Sequence, residues 1–323
     1  MIKNQWYSVL SSHEVKDKPI GVTRFGEKLV FWRGKGGSVN CIADKCAHRG
    51  ASLSAGKIVE EHIQCPFHGF QYDGTGKVVE IPANGKNTPV AANFRVDGFK
   101  AVEKYDFIWV WYGISEPQGE PRFFDDIDSS FAYSEFTDPW KTHYSRCIEN
   151  QLDVVHLPFV HYNTIGRGNR TLVDGPVIEW KGKEKFYFYV FNRVDDGTAP
   201  KKPEELKGEK SSVYLEFIFP NIWQNHIDDK FMIVAAFVPV DNENSLVYIR
   251  SYVKLTKVKL IDKFIAAVSK PGDSIILHQD RRVVETQLPK KSELKMNENL
   301  IQGDLPIIEY RKRRQELIGL NKG

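Results

Sequence analysis

The hydrophobic positions change their spacing along the chain. In the first third they form short runs such as Leu29-Val30-Phe31-Trp32 and Phe107-Ile108-Trp109-Val110-Trp111, rich in β-branched and aromatic residues. Runs of that length and composition predict strands. Turn formers separate them: Gly34 to Gly37, Asp73-Gly74, Gly76 and Asn84-Gly85. An all-β domain over residues 1–116 is expected, with the Pro- and Gly-containing stretch Ser115 to Pro121 as a linker. Residues 117–323 form a second domain of mixed pattern. A short helix is expected near 145–157, stopped by Pro158. Strand-like runs follow at 185–192, 213–219, 232–240 and 246–255, the last two flanking an expected hairpin turn at Asp241-Asn242-Glu243-Asn244. Ile275, Ile276, Val283, Val284 and Leu288 then recur at helical intervals, predicting a helix of about 16 residues that begins near Asp273. A final short helix follows Pro306. The fold class is α+β.

Composition narrows the function. The chain has 323 residues, 41% hydrophobic and 27% charged, as ordinary globular proteins do. Its 45 basic and 42 acidic residues leave a net charge of +3, which gives no nucleic-acid signature. The densest basic run, Arg311-Lys312-Arg313-Arg314, reads as the solvated face of the last helix. The N-terminus lacks the apolar run of a signal peptide, and no stretch approaches the length of a membrane span. A cytoplasmic location is expected, with neither nucleic acid nor membrane as partner. Four Cys in so long a chain do not make a disulfide scaffold. Cys41 and Cys147 lack a chemical context and read as small buried hydrophobes.

The other two cysteines have a context. Cys46-Ala47-His48 and Cys65-Pro66-Phe67-His68 make the pattern C-x-H-x16-C-x2-H, one thiolate and one imidazole per short loop. Gly50 and Gly69 would let the backbone wrap closely around a metal. Zinc accepts two Cys and two His. A [2Fe–2S] cluster can take two Cys on one iron and two His on the other. Zinc fingers place both Cys in one element and both His in another, whereas here the two types alternate.

A second constellation follows at Asp153-Val154-Val155-His156 and His161. Asp153 and His156 are three residues apart and would share a helix face. A helix break at Pro158 could return His161 towards His156. Two His with a distant carboxylate form a facial triad, which leaves positions open on Fe(II).

The segments Cys46-Ala47-His48-Arg49-Gly50 and Cys65-Pro66-Phe67-His68-Gly69-Phe70 resemble the two cluster-binding loops of Rieske domains. Together with the downstream His pair they resemble the oxygenase component of the Rieske-type non-haem iron ring-hydroxylating oxygenases, closest to the trimeric monooxygenase and demethylase group. The resemblance implies that Cys46 and Cys65 hold the inner iron of a [2Fe–2S] cluster and that His48 and His68 hold the outer one. It implies a mononuclear Fe(II) held by His156 and His161, with Asp280, in Leu277 to Gln287, as third ligand and Glu285 as runner-up. It gives Asp153 the task of linking His68 of one protomer to His156 of the next, hence a homotrimer. It implies a catalytic domain built as an antiparallel sheet with helices, of the helix-grip (START/Bet v1-like) kind. The implied activity is hydroxylation or oxidative demethylation of a small aromatic or cyclic substrate with O2. The chain contains no dinucleotide fingerprint or second cluster motif, so electrons should come from a separate NAD(P)H-dependent reductase, with or without a ferredoxin. The alternatives are a ring cis-dihydroxylating dioxygenase and an electron-transfer Rieske protein without oxygenase activity. Asn221, Trp223 and His226, near a strand end, are candidates for the substrate pocket.

Overall fold

The computed structural model describes residues 1–320. The chain forms two units, one of Met1–Pro121 with Pro239–Asp241, the other of Arg122–Val238 with Asn242–Gly323.

The first unit is all β. Its strands are β1 (Gln5–Ser11), β2 (Ile20–Arg24), β3 (Glu27–Arg33), β4 (Val39–Ala43), β5 (Lys57–Val59), β6 (His62–Gln64), β7 (Gln71–Tyr72), β8 (Val78–Glu80), β9 (Gly98–Phe99), β10 (Ala101–Lys104) and β11 (Phe107–Tyr112). They make three small sheets, β1-β11-β10, β2-β3-β4-β9 and β5-β6-β7-β8. A core of Trp32, Ile42, Leu53, Ile63, Phe70 and Tyr72 closes around the thiols of Cys46 and Cys65. These thiols come from the β4–β5 and β6–β7 loops.

The second unit carries β12 (Ala132–Trp140), α1 (Tyr144–Leu152), α2 (Leu157–Val160), β13 (Leu172–Lys181), β14 (Lys185–Arg193), β15 (Tyr214–Ile218), β16 (Ile222–Asp228), β17 (Phe231–Pro239), β18 (Ser245–Val253), α3 (Lys259–Val284) and α4 (Leu305–Leu320). One seven-stranded sheet runs β12-β18-β17-β16-β15-β14-β13. Strands consecutive in the chain thus occupy opposite edges, since β12 is one border and β13 the other. Adjacent strands lie about 4.8 Å apart, so the β12–β13 connection must cross roughly 29 Å of sheet. That crossing segment is the one that carries α1, α2 and both His of the second constellation. The rings of Phe186, Phe217 and Phe219 pack against one another, and Tyr310 of α4 meets the last two at 5.4 and 5.7 Å.

Three local expectations need correction. The helix near 145 ends at Leu152, and Pro158 lies in the first turn of α2 instead of stopping α1. A proline costs nothing there, because the first-turn N–H groups have no intrahelical partner. The late helix begins at Lys259, not Asp273, and contains Pro271. An interior proline costs about 3 kcal/mol. Both halves of α3 nevertheless bury residues, Asp262 and Ala266 before the proline, Leu277 and Val284 after it. α3 packs on β12 and β18, which offsets that cost. Finally, Arg311 and Arg314 are not solvated; they are 3% and 2% exposed. Arg311 Nε donates to Glu149 Oε1 at 2.7 Å, and Arg146 Nη1 to Glu149 Oε2 at 3.0 Å. Glu298 meets Arg311 at 2.7 Å and Arg146 at 2.9 Å, closing a ring of alternating charge between α1 and α4. Cys41 and Cys147 are buried.

Candidate active site

The metal segment is shaped by a turn rather than by a shared helix face. Asp153 caps the C-terminus of α1 in an extended conformation. Its Oδ1 accepts the backbone N–H groups of Val155 at 2.7 Å and His156 at 3.1 Å. That side-chain turn brings Asp153 Oδ1 to 3.6 Å from His156 Nδ1. Burial alone would push the Asp153 carboxyl up; His156 and the two amides outweigh it, and the net direction is down. α2 then turns the chain so that the His156 and His161 rings lie 5.2 Å apart.

Asp280 arrives from α3, 3% exposed. Its Oδ1 lies 3.4 Å from His156 Nε2 and 2.9 Å from His161 Nε2. One donor atom from each of the three converges to within 4.8 Å of the others. Asp280 Oδ1 is nonetheless buried without a hydrogen bond. Two imidazole nitrogens and a carboxylate oxygen facing one another, unbonded, are what a divalent cation satisfies, and this N2O set suits Fe(II). Glu285, the other acidic candidate, points elsewhere: its Oε1 accepts Lys141 N–H at 2.7 Å.

The outer nitrogen of His161 is fixed by a residue the motif did not single out. Gln279 Nε2 donates to Asn163 Oδ1 at 2.9 Å, which turns Gln279 Oε1 towards His161 Nδ1 at 2.8 Å. The Nδ1–H is thereby the donor, and the lone pair at Nε2 faces Asp280. The sequence signal was only the adjacency of Gln279 to Asp280.

The first unit brings its four residues together as matched loops. Cys46 N–H donates to Ala51 O and Gly50 N–H to Cys46 O; Cys65 N–H donates to Phe70 O and Gly69 N–H to Cys65 O. Gly50 and Gly69 both have φ of 75°, a conformation that favours glycine. The thiols of Cys46 and Cys65 are buried, whereas His48 and His68 are exposed, with ring centroids 4.6 Å apart. Burial pushes the Cys65 thiol up, so its thiolate needs a compensating cation. Tyr72, not anticipated, donates its hydroxyl to Cys46 Sγ at 3.1 Å and accepts Ala47 N–H at 2.9 Å.

A cavity of about 450 Å³ adjoins the metal segment, walled by Asp153, Val154, Leu157 and Pro158 on one side and by β14, β15 and β16 on the other. Asn192 and Asn225 line it, and the Oδ1 of each is buried without a donor. The three residues expected in the pocket do not line it. Asn221 donates to Phe237 O, Trp223 pairs across strands with Phe217, and His226 bonds Asp126 at 2.8 Å and stacks on Tyr214. For His226 the reason is strand alternation: on β16, Asn225 and His226 face opposite sides of the sheet, and the cavity lies on the Asn225 side. Trp223 shares that side but sits earlier on the strand, and Asn221 precedes the strand.

Comparisons with known proteins agree with this chemistry. Residues 5–105 match the Rieske [2Fe-2S] domain family, and residues 140–320 match the vanillate O-demethylase oxygenase C-terminal domain family. Chlorophyllide a oxygenase of Chlamydomonas reinhardtii is 36% identical over 52% of this chain and 26% of its own length. The chain spans between 26% and 48% of the first four curated relatives it matches. Methylxanthine N3-demethylase NdmB of Pseudomonas putida is 28% identical over 98% of this chain and 89% of its own. The solved structure of NdmA from Pseudomonas putida CBB5 superposes with a TM-score of 0.81 at 23% identity, covering 99% of this chain and 91% of that one, a likeness of fold. With a Rieske [2Fe-2S] domain, a mononuclear iron site at His156, His161 and Asp280, and a family match over more than half its length, this chain belongs to the Rieske non-haem iron oxygenases.

Proposed function

We propose that the chain is the oxygenase component of a multicomponent system that hydroxylates or oxidatively demethylates a small aromatic or heterocyclic substrate. Electrons come from NAD(P)H through a separate reductase. The observation that carries this reading is the convergence of His156, His161 and Asp280 beside a mainly apolar cavity. Demethylation is favoured because the matched C-terminal family is described by a vanillate O-demethylase, and because a methylxanthine demethylase aligns over nearly the whole chain. When bound, iron supplies open coordination positions for dioxygen and the [2Fe–2S] cluster supplies single electrons. The chain's own residues do the rest. Apolar walls at Val154, Leu157, Val190 and Leu215 exclude water from the substrate. The unbonded carbonyls of Asn192 and Asn225 orient it by accepting hydrogen bonds.

Cys46 and Cys65 hold the inner iron of the cluster, and His48 and His68 the outer one. The burial of the two thiols and the exposure of the two imidazoles support that division. The purified chain should contain about three iron atoms. Supplied with a reductase, it should take up dioxygen only when a suitable substrate is present, releasing formaldehyde from N- or O-methyl compounds. Iron at two per chain, with no oxygen uptake across a panel of aryl ethers and N-methyl heterocycles, would leave a plain electron carrier.

Asp153 links the two centres between neighbouring protomers of a trimer. Its Oδ1 is committed to its own turn, yet about 30% of the side chain stays accessible to a neighbour. Asp153→Asn should keep both metals but slow cluster-to-iron electron transfer by roughly 10–100-fold, the range for residues that support a metal ligand. Single-turnover absorbance of the reduced cluster measures this, and an unchanged rate refutes the role.

Tyr72 tunes the cluster. A hydroxyl donated to a cluster thiolate favours the reduced, more negative state. Tyr72→Phe should therefore lower the reduction potential. A hydrogen bond stronger by about 1 kcal/mol in the reduced state corresponds to roughly 40 mV for one electron. Voltammetry of the wild-type and variant proteins reads the shift directly.

A further inference from the structure

The N-terminal half of α3 turns an apolar stripe to solvent. Leu260, Phe264 and Val268 are 77%, 69% and 63% exposed, and Ile261 and Ile275 are exposed as well. With 3.6 residues per turn, these five and Pro271 fall within an arc of about 100°. No hydrogen-bonding side chain from 260–275 enters that arc. The buried residues Asp262, Ala266 and Leu277 lie on the opposite side of the helix, against the sheet. Exposed Leu255 and Val258 extend the patch ahead of the helix. A soluble protein seldom leaves so continuous an apolar surface without a use.

Basic residues accompany the stripe. Lys257, Lys259, Lys263 and Lys270 are exposed and Lys254 is half-buried. Lys254 lies 3.6 Å from Asp128, and Lys259 Nζ donates to Ser129 O. Lys257, Lys263 and Lys270 have no carboxylate partner among the described residues. The acid within 254–270, Asp262, is buried and accepts Thr256 N–H.

We propose that this face docks the oxygenase on an anionic lipid surface, the stripe entering the boundary between headgroups and acyl chains while the lysines meet phosphates. A basic amphipathic helix lying in the interface has this pattern. Two features favour lipid over protein. A protein interface carries regularly spaced hydrogen bonds, and this arc offers none. A second copy packed by two-fold symmetry on the same face would set lysine against lysine, and a head-to-tail contact, as in a trimer, would need an acidic patch elsewhere on the chain to meet them. Among the described residues no helix is long and apolar enough to cross a membrane, so the contact is peripheral and reversible. The sequence pattern concealed the surface, because it did not reveal that the helix begins at Lys259 or which side packs.

The test is co-sedimentation of the iron-loaded full chain with phosphatidylcholine vesicles, with and without about one-third phosphatidylglycerol. Wild type should pellet roughly tenfold more with the anionic vesicles and be released by salt. Phe264→Asp with Val268→Asp should abolish pelleting while melting temperature and sedimentation coefficient stay unchanged. Lys263→Glu with Lys270→Glu should remove the preference for the anionic vesicles. Failure of wild type to pellet, or undiminished pelleting of the aspartate variant, overturns the proposal. So does a smaller assembly in that variant, which would make the face a contact between copies of the chain.

Discussion

Asp280→Ala leaves a protein that keeps its cluster but not its mononuclear iron, and turnover falls by more than about 100-fold. Residues that merely support a ligand already cost 10–100-fold when removed, and Asp280 supplies the only anionic group of the converging set. Without it, two imidazoles face a buried space with no carboxylate among the ligands to balance a divalent charge. Iron analysis should drop from about three to about two per chain. The EPR signal of the reduced cluster should be unchanged, because the cluster loops lie in the other unit. Retained mononuclear iron would refute the assignment. Asp280→Glu is an informative companion, since it keeps the charge and displaces it by one methylene.

Glu149→Ala unfolds the catalytic unit at a temperature about 6–20 °C lower. Glu149 is 4% exposed and holds two guanidiniums, those of Arg146 and Arg311. Burial alone would lower the Arg311 guanidinium; Glu149 and Glu298 more than offset it, so the charge persists. Removing one member of a buried ion network costs about 3–5 kcal/mol, because the remaining charge stays desolvated and unpaired. For a unit of roughly 200 residues, each kcal/mol moves the melting temperature by about 2–4 °C. The double variant Glu149→Met with Arg311→Met should lose less than Glu149→Ala alone, because it removes one charge of each sign and leaves Arg146 with Glu298. Calorimetry separates the two outcomes, and a double variant as unstable as the single one would mean that packing, not charge, dominates the site.

The chemistry of the chain was more legible than its packing. The Cys46–His48 and Cys65–His68 loops carry their ligands within a few residues, so local spacing encodes them. His156 and His161 were legible for the same reason. The expectation that Asp153 shares a helix face with His156 missed the turn made by the Asp153 carboxylate itself. The start of α3 was hidden because Pro271-Gly272 reads as a breaker, and only packing against β12 and β18 overrides that local preference. Arg311 and Arg314 looked solvated because their partners, Glu149 for Arg311 and the Ser292 carbonyl for Arg314, lie far from them in sequence. The cavity residues depend on which face of β16 looks inward, and strand register is a property of the whole sheet.

Six strands intervene in the chain between His161 and Asp280. Iron seated between them therefore behaves as a removable cross-link, tying shut a very long loop whose closure would otherwise rest on weak forces alone. Ligation at a thousandfold excess over the dissociation constant favours the native state by about 4 kcal/mol. Metal supply then governs how long the polypeptide survives, not only how fast it works: starved of iron, the catalytic half would open more often and be digested sooner.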